Sequence, residues 1–476
     1  MKYIHAKKEG FILINALVFG VIVVIIVSAF VSWGASVLRN QRQLAAREQA
    51  FQIAEAGIDY YRWHLAHAQS DYTDGTANPG PYVHDFTDKD GNVIGQFTLT
   101  ITPPPIGSTV VKIQSKGTVV AYPTVSRTIA VSLAIPSLAK YAVAANDVMR
   151  FGAGTEVFGP IHSNEGIRFD GVAHNLVTSA KDKYIDPDAP GSYRFGVYTQ
   201  DSPVDPAPPA AVPNRPDVFM AGRQFPVPAV DFTGITANLS QLKTLAQADG
   251  RYYGPSGNQG YHIVLKSNDT FDLYRVTSLT SSSKCKDTQN QTGWGMWSIQ
   301  NQTLIGNYAN PTNGIIFLDD HVWVDGTINS ARITIAVGRF PDSSSTWRHI
   351  IVNNDIVYTN YDGTDALALI AQGDVTVGLQ SADDLRIDAA LVAQNGRVGR
   401  FYYGSGNSAC GTNANRAVLT LYGMIASNNR YGFAYTDGTG YDIRNIIYDS
   451  NLLYSPPPSF PLTSDQYITV SWDEVE

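Results

Sequence analysis

The sequence predicts a mainly β protein that begins with one long transmembrane α-helix, continues into a small antiparallel sheet and ends in a large β-rich head. The 476-residue chain contains 41 glycines, 25 prolines and 26 tyrosines but only 5 methionines, which favours turns and Tyr-lined strands over helical bundles. Charged residues make up only 16% of the chain, against ~25% in an ordinary soluble domain. The third observation is a single long apolar block near the N-terminus.

The apolar block, residues 11–38, contains no Asp, Glu, Lys or Arg. A helix needs ~20 apolar residues to cross a bilayer, so this block is long enough to span one. Lys2, Lys7 and Lys8 precede it, which predicts a cytoplasmic N-terminus and an exported C-terminal portion. A secretory signal peptide is the alternative, but its apolar region would be only about 7 to 15 residues long. We therefore expect a single-pass protein of the cytoplasmic membrane.

The same helix is expected to continue beyond the membrane, over residues 11–68. Residues 39–57 are rich in strong helix formers and contain no proline. Small and apolar residues recur there largely at three- and four-residue spacing, which predicts a narrow stripe for close packing on a partner. The stripe consists of Leu38, Ala46, Ala50, Ile53, Ala54, Gly57 and Tyr61.

Residues 71–140 are predicted to form a small antiparallel β domain that covers the lower half of the helix. Its strand candidates are residues 97–101, 110–120 and 128–135. The segment from Asp88 to Asn92 resembles the start of a calcium loop, but Gly91 comes too early for an EF-hand. A hairpin turn is the favoured interpretation and a metal site the alternative.

Residues 141–476 are predicted to form the large β-rich head. Short apolar segments punctuated by Gly and Asn recur through it, for example in residues 370–375 and 392–398. This pattern favours a parallel β-solenoid, in which each coil is stable only when stacked on another. Because the repeat is irregular, an elongated β-sandwich remains the alternative.

Three further features are expected in the head. A Pro-rich insertion at residues 186–230 is predicted to be an extended strap. A short helix is expected at residues 236–249, followed by a hairpin that pairs residues 261–265 with residues 271–276.

The chain has two cysteines, Cys285 and Cys410, which are too few for a disulfide scaffold. Both lie in polar loops of the portion predicted to be exported, where one disulfide could form. Two free thiols are the alternative.

Catalytic patterns are weak throughout the sequence, which predicts no enzymatic activity, no metal and no cofactor. The adjacent acid pairs are Asp319–Asp320 and Asp383–Asp384, and neighbours on a strand point to opposite faces. No nucleophile elbow or phosphate-binding loop is present. A net charge of −8 argues against nucleic acid as a partner, although a local basic patch could escape this average. The histidines lack metal-ligand spacing: His162, His174, His262, His321 and His349.

The N-terminal residues carry a family resemblance. The segment from Lys7 to Asn15, KKEGFILIN, resembles the leader junction of type IV prepilins, and residues 50–59, AFQIAEAGID, are similar to the end of this helix in PilX-type minor pilins. The resemblance implies a leader of residues 1–10, cleavage after Gly10 by a prepilin peptidase, and Phe11 as the new N-terminus. Major pilins carry a Glu where this chain has Asn15, a filament contact that cannot form the usual ion pair.

By this resemblance the chain is a minor or tip pilin of a type IV pilus or pseudopilus system. It would reside in the inner membrane before assembly, contact other pilins through its N-terminal helix, and present the head at the filament or cell surface for adhesion. A surface glycan or protein is the implied ligand. The Tyr-rich segments 401–403 and 431–435 either bind such a ligand or pack on strands.

Three alternatives to this function remain open. The first is a plain single-span surface protein. The second is a membrane-anchored β-solenoid polysaccharide-active enzyme or glycan-binding protein. The third is DNA capture during uptake.

Overall fold

A computed structural model describes residues 9–404, 410–463 and 465–475. The chain divides into two compact units. The first comprises Met1–Pro103, Val111–Leu133 and Tyr467–Glu476, and the second comprises Pro104–Val110 and Ala134–Gln466.

The secondary structure of the described residues comprises two α-helices, four short 3₁₀ turns and thirty-one strands. The α-helices are α1 (Glu9–His67) and α2 (Thr233–Ala248), and the 3₁₀ turns are Leu138–Lys140, Ser344–Thr346, Gly411–Ala414 and Ser450–Leu453. The first strands are β1 (Tyr82–Thr87), β2 (Val93–Thr102), β3 (Val111–Val119), β4 (Tyr122–Ala134), β5 (Val143–Ala145), β6 (Met149–Phe151), β7 (Thr155–Phe158), β8 (Ile161–Ser163), β9 (Ile167–Phe169), β10 (Val172–Ala173), β11 (Val177–Ser179), β12 (Lys183–Ile185), β13 (Tyr193–Phe195), β14 (Val197–Tyr198) and β15 (Arg223–Gln224). The remaining strands are β16 (Arg251–Tyr253), β17 (Gly260–Lys266), β18 (Thr270–Leu279), β19 (Ile299–Ala309), β20 (Ile315–Leu318), β21 (Val322–Ile328), β22 (Arg332–Val337), β23 (Ile350–Ile351), β24 (Ile356–Tyr358), β25 (Ala366–Ala371), β26 (Val375–Val377), β27 (Asp384–Ala393), β28 (Val398–Arg400), β29 (Asn415–Ser427), β30 (Gly440–Tyr448) and β31 (Ile468–Val475).

The first unit is built on α1, a single helix of 59 residues that confirms the predicted long N-terminal helix. Its N-terminal half is apolar and exposed, whereas Ala50, Ile53, Ala54 and Tyr61 in its C-terminal half are fully buried. The helix therefore changes environment along its length, and the buried half follows the stripe of small residues.

That buried half packs on a five-stranded sheet in the order β1-β2-β3-β4-β31. The pairs β1–β2, β2–β3 and β3–β4 are antiparallel, as predicted for this sheet. The segment around Asp88 forms the turn between β1 and β2, where the Asp88 carboxylate accepts hydrogen bonds from the backbone of Asp90 and Asn92. The fifth strand, β31, comes from the C-terminal end of the chain and was not predicted.

The second unit is a parallel β-solenoid, which decides between the two predicted architectures. Its first face is a continuous parallel sheet in the order β16-β20-β22-β25-β27-β29-β5-β8-β11-β15. A second row runs through β17, β21, β23, β26 and β28, and a third through β24, β27, β29, β30, β7 and β10. A separate short parallel sheet has the order β14-β9-β6.

The order of the coils differs from their order in the sequence. Strand β5, the first strand of the solenoid in the chain, pairs with β29 on one side and β8 on the other. The chain thus enters the stack away from its ends, builds toward β15, and resumes at β16 on the opposite edge. Residues 225–250, which include α2, connect the two edges.

Successive residues of the strands in the first face point to opposite sides of the sheet, and each side packs in an apolar core of its own. Ile316, Leu318 and their in-register neighbours fill the solenoid interior. Phe317, Ala336 and Ile370 point to the other side, where they form a second core with side chains of α2 and of the C-terminal segment. The side chains that cover this second core include Leu239, Leu242, Ala246, Leu452 and Phe460.

The predicted hairpin is present, with β17 and β18 paired antiparallel and β19 added beyond them. The predicted short helix is α2, which begins three residues earlier than expected, at Thr233. Residues 186–230 include β13, β14 and β15, and β14 and β15 pair in parallel with β9 and β11 of the solenoid.

Candidate functional site

A column of polar side chains lies along one corner of the solenoid. It consists of His321, His349, Asp374 and Arg397, one from each of four successive coils. Each of these residues comes directly before the first residue of a strand. Those first residues pair in register from one coil to the next, and they are Val322, Ile350, Val375 and Val398. Because neighbouring strands are ~4.8 Å apart, the register stacks the four side chains at the same spacing. The His321 and His349 rings are accordingly parallel, with centroids 5.1 Å apart.

Hydrogen bonds connect the members of this corner column. The His349 backbone N–H donates to His321 Nδ1 (3.1 Å), and the Asp374 N–H donates to His349 Nδ1 (2.8 Å). The Arg397 N–H donates to Asp374 Oδ1 (2.8 Å). Each side chain thus satisfies a backbone donor of the next coil, which would otherwise be unpaired at the corner.

These bonds determine which ring nitrogen carries the proton. Because Nδ1 of each histidine accepts a hydrogen bond, the neutral ring carries its proton on Nε2. Burial, together with the nearby His349 and Arg348, lowers the pKa of His321 well below its ordinary value, so His321 is neutral at pH 7. His321 therefore presents a neutral Nε2–H donor at this corner.

The corner column forms one side of a cavity of about 470 Å³. This volume lies within the usual range for small-molecule sites, ~300 to 1,000 Å³. The lining combines two indole rings, two arginines, two histidines, one carboxylate and several amide and hydroxyl groups. The described residues that line it are Gln291, Thr292, Gly293, Trp297, His321, Ser344, Ser345, Trp347, Arg348, His349, Asp374, Asn395, Gly396, Arg397 and Asn429.

Trp297 lies in the cavity wall in a backbone conformation that bulky residues rarely adopt. Its φ is +48°, in the left-handed region, which costs ~1 to 3 kcal/mol for a residue with a side chain. Its carbonyl accepts hydrogen bonds from Trp323 Nε1 (2.9 Å) and Asn353 Nδ2 (2.7 Å). Two buried side chains thus hold a strained residue in place at the cavity.

Trp347 contributes a second indole. Its Nε1–H donates to Asp342 Oδ1 at 2.9 Å, which satisfies its one polar group within the same loop. The half-buried ring lines the cavity and offers an apolar surface beside polar groups.

A disulfide fastens the loop that carries Trp297. Cys285 in this loop is bonded to Cys410. Trp294 Nε1 donates to the Tyr402 carbonyl (3.1 Å), and the Tyr403 hydroxyl donates to the Gly295 carbonyl (2.9 Å). The loop between β18 and β19 is therefore joined to the segment after β28, and this loop contributes Gln291, Thr292, Gly293 and Trp297 to the cavity wall.

Arg348 is the least satisfied charged group at the cavity. Its buried Nε has no hydrogen-bond acceptor among the described residues and forms a long ion pair with Asp320 Oδ1, at 3.8 Å. Its Nη1 lies 3.4 Å from His321 Nε2, a long contact to a nitrogen that itself carries a proton. Burial lowers the pKa of Arg348 from its ordinary value, while the nearby Asp320 and Asp319 oppose that shift.

Asp374 is the single carboxylate among the described lining residues. Glycines surround it closely, since a Cβ at Gly396 would lie 2.2 Å from Oδ1 and one at Gly293 would lie 2.8 Å from Oδ2. Oδ1 is used by the corner column, whereas Oδ2 has only a 3.3 Å contact, with His349 Nδ1. Oδ2 is therefore able to accept a hydrogen bond from a ligand.

The two adjacent acid pairs of the sequence have structural partners. Asp319 binds Lys243 and Tyr252, and Asp320 accepts hydrogen bonds from both the backbone and the hydroxyl of Ser256. Asp383 accepts a hydrogen bond from the backbone of Ala417. Neither pair lines the cavity among the described residues.

The Tyr-rich segments are largely packed. Phe401, Tyr403, Tyr431 and Phe433 are buried. Tyr435 donates a hydrogen bond to the Arg400 carbonyl (2.8 Å). The aromatic surface at the cavity comes from tryptophans outside both segments.

The predicted processing and assembly residues lie in the other unit. Gly10 and Phe11 lie in the first turn of α1, and Asn15 follows one turn later. The side chains of Phe11 and Asn15 are exposed. These residues therefore belong to a different unit from the residues that line the cavity.

Sequence reasoning missed the corner column although both histidines had been considered. The separations along the chain are 28, 25 and 23 residues, so no fixed period marks the column. The available signal was the recurrence of polar residues next to Gly at the ends of short apolar strands, as at Gly373–Asp374 and Gly396–Arg397.

Comparisons with known proteins show similarity to a solved structure. No family model matches the chain, and no curated protein matches it. Among solved structures, the chain is similar to the competence-associated pilin ComZ from Thermus thermophilus, with 13% sequence identity and a TM-score of 0.28. The match covers 90% of this chain and 98% of that one.

Proposed function

We propose that this chain is a pilin-like component of a type IV pilus or pseudopilus, anchored by α1 and presenting the solenoid at the filament tip or cell surface. Its proposed role is structural and adhesive. The observation that carries the proposal is the division of α1 into an exposed apolar half and a buried half.

The exposed half requires a non-aqueous environment. Phe11, Leu13, Phe19 and Phe30 are each exposed by more than 60%, and the helix has a mean hydropathy of 3.0 over its most apolar window. Each large apolar side chain left in water forgoes ~1.5 to 3 kcal/mol of burial. A bilayer or a bundle of similar helices would provide that burial, and a pilin uses both in turn.

Asn15 supports a minor or tip position over a major one. An amide at this position can hydrogen-bond but cannot form the ion pair that a carboxylate would make with a neighbour's terminal amine. Assembly through this residue would be weaker, as suits a subunit present in few copies. A plain single-span surface protein would share the apolar helix but would not be processed at Gly10.

Replacing Gly10 with leucine tests the proposal. We expect the Gly10→Leu protein to keep its leader, because a prepilin peptidase requires a small residue before the cut. Intact-mass spectrometry of the membrane fraction should then show a chain ten residues longer than the wild type, which should begin at Phe11.

Gly20→Leu is the matched control, since a Cβ at Gly20 meets nothing within 4 Å. It should be processed like the wild type. If Gly10→Leu and the wild type have the same N-terminus, the pilin proposal is wrong and a simple membrane anchor replaces it.

A further inference from the structure

We propose that the cavity beside the corner column is a binding site for an acidic glycan. In this proposal Trp347 stacks on a sugar ring and Arg348 pairs with a sugar carboxylate. This site goes beyond the pilin proposal and does not depend on it, because all of its residues belong to the second unit.

The two indoles supply the apolar part of the site. One face of a sugar ring consists of C–H groups, which pack well on an aromatic surface. Trp347 and Trp297 both line the cavity, and the indole N–H of each is already bonded, to Asp342 and to the Gly293 carbonyl. Trp347 therefore offers a flat contact surface without an unsatisfied donor, while the Trp297 ring packs against His321 and His349, with ring centroids 5.1 and 5.5 Å away.

The polar groups match sugar hydroxyls. His321 offers an Nε2–H donor, and Asp374 Oδ2 is an acceptor with no short hydrogen bond of its own. Asn395 and Asn429 line the same cavity with side chains that both donate and accept. A hydroxyl group also donates and accepts, so a sugar can satisfy donors and acceptors together.

Arg348 adds a requirement for negative charge. Its buried Nε forms a long ion pair with Asp320 Oδ1, at 3.8 Å, and has no hydrogen-bond acceptor in the part of the chain that the structure describes. A guanidinium binds a carboxylate through two parallel hydrogen bonds, so a uronate would bind the terminal nitrogens of Arg348, of which Nη1 makes a long 3.4 Å contact with His321 Nε2. With Arg397 included, the lining has two arginines and one carboxylate in a chain of net charge −8.

Two other ligand classes fit less well. A nucleic acid would need a basic groove that follows its backbone, whereas the described lining forms one cavity with two arginines. Glycoside hydrolysis uses two carboxylates on opposite sides of the bond, and the described lining provides one. Binding without cleavage is the inference that the residues support.

The test is isothermal titration calorimetry on the full chain in detergent micelles. The acidic probes are trigalacturonate, trimannuronate and a hyaluronan tetrasaccharide, and the others are maltotriose and a twelve-nucleotide oligothymidylate. We expect saturable binding of at least one uronate probe. Its affinity should exceed that for maltotriose by about tenfold, the effect of one charge-assisted pair.

Two variants locate the binding. Arg348→Gln should weaken the best uronate probe about tenfold and reduce its preference over maltotriose, whereas Trp347→Ala should weaken both sugars about tenfold. The matched controls are Arg275→Gln and Trp63→Ala, which alter exposed residues that do not line the cavity and should leave affinity within about twofold. Circular dichroism of each variant verifies that the solenoid is folded.

Several results would overturn the proposal. The first is that no uronate probe binds saturably, and the second is that the folded Arg348→Gln variant binds the best uronate probe as tightly as the wild type does. The third is that the oligothymidylate binds more tightly than the uronate probes and that both cavity variants abolish its binding. Cleavage of a probe during titration would also contradict it, because the site would then be catalytic.

Discussion

Replacing Arg400 with alanine is expected to destabilise the solenoid by about 3 to 5 kcal/mol, because several buried acceptors would lose their donor at ~1 to 3 kcal/mol each. Arg400 is completely buried at the end of β28. Its Nη1 donates to Ser381 Oγ (2.9 Å) and to the Gly378 carbonyl, and its Nη2 donates to the carbonyls of Leu379 (3.1 Å) and Asn413 (2.6 Å).

The charge of Arg400 is balanced by dipoles and rings. Its guanidinium lies 5.0 Å from the ring centroid of Tyr403 and 5.7 Å from that of Tyr441, and its Nη atoms donate hydrogen bonds to carbonyl and hydroxyl oxygens. Burial lowers the pKa of Arg400 from its ordinary value, while Tyr403 and Tyr441 oppose that shift. Alanine would remove the donors and leave buried carbonyls without partners, each at a cost of ~1 to 3 kcal/mol.

Urea unfolding of the full chain in detergent, followed by circular dichroism, measures this effect. Arg400→Lys should be intermediate, because lysine keeps the charge but lacks the planar five-donor group. Arg275→Ala, at an exposed position on β18, should change the free energy of unfolding by no more than about 0.5 kcal/mol. A loss below about 1 kcal/mol for Arg400→Ala would show that Arg400 is not a structural centre of the head.

Replacing Gly117 with valine is expected to destabilise the first unit by about 3 kcal/mol, at the upper end of overpacking effects. Gly117 lies on β3, where the sheet meets the buried half of α1. A Cβ at this position would be 2.0 Å from the Ala50 carbonyl oxygen and 2.6 Å from the Ala54 nitrogen. Both are backbone atoms of the helix, so the helix itself would have to move.

Lys116→Val is the matched control, because it places the same side chain on the exposed face of the same strand. It should leave the free energy of unfolding nearly unchanged. Limited proteolysis between α1 and β1 provides the second readout, with faster cleavage expected only for Gly117→Val. Equal protease resistance of the two variants would contradict the close helix–sheet contact.

The extent to which the sequence predicted the fold depended on how local each feature was. The long helix followed from a 28-residue stretch without charge and from strong helix formers after it, both of which act within a few turns. The hairpin of β17 and β18 was equally local, since its turn has Asp269 in the left-handed conformation. Such features depend on neighbours in the chain and can be recognised without the tertiary structure.

The order of the solenoid coils could not be predicted in this way. Pairing of β5 with β29 joins residues such as Val143 and Ile425, which are far apart in the sequence. The addition of β31 to the N-terminal sheet is non-local for the same reason. No period or turn signal near any of these strands specifies its partner.

The cavity was missed because its chemistry is distributed over the coils. His349 and Asp374 are neighbours through a hydrogen bond but are separated by 25 residues, and the separation changes from coil to coil. Trp297 and Trp347 come from loops outside the strand pattern. Only the stacked structure shows that these residues face one space.

The most direct test of the pilin account is the N-terminus of the chain recovered from surface filaments. Filaments sheared from cells that produce the full chain would be separated from membranes, and the chain in each fraction would be analysed by N-terminal peptide mass spectrometry. The account predicts that the filament fraction contains the chain and that its first residue is Phe11. Recovery only from the membrane fraction, with an N-terminus at Met1, would contradict it.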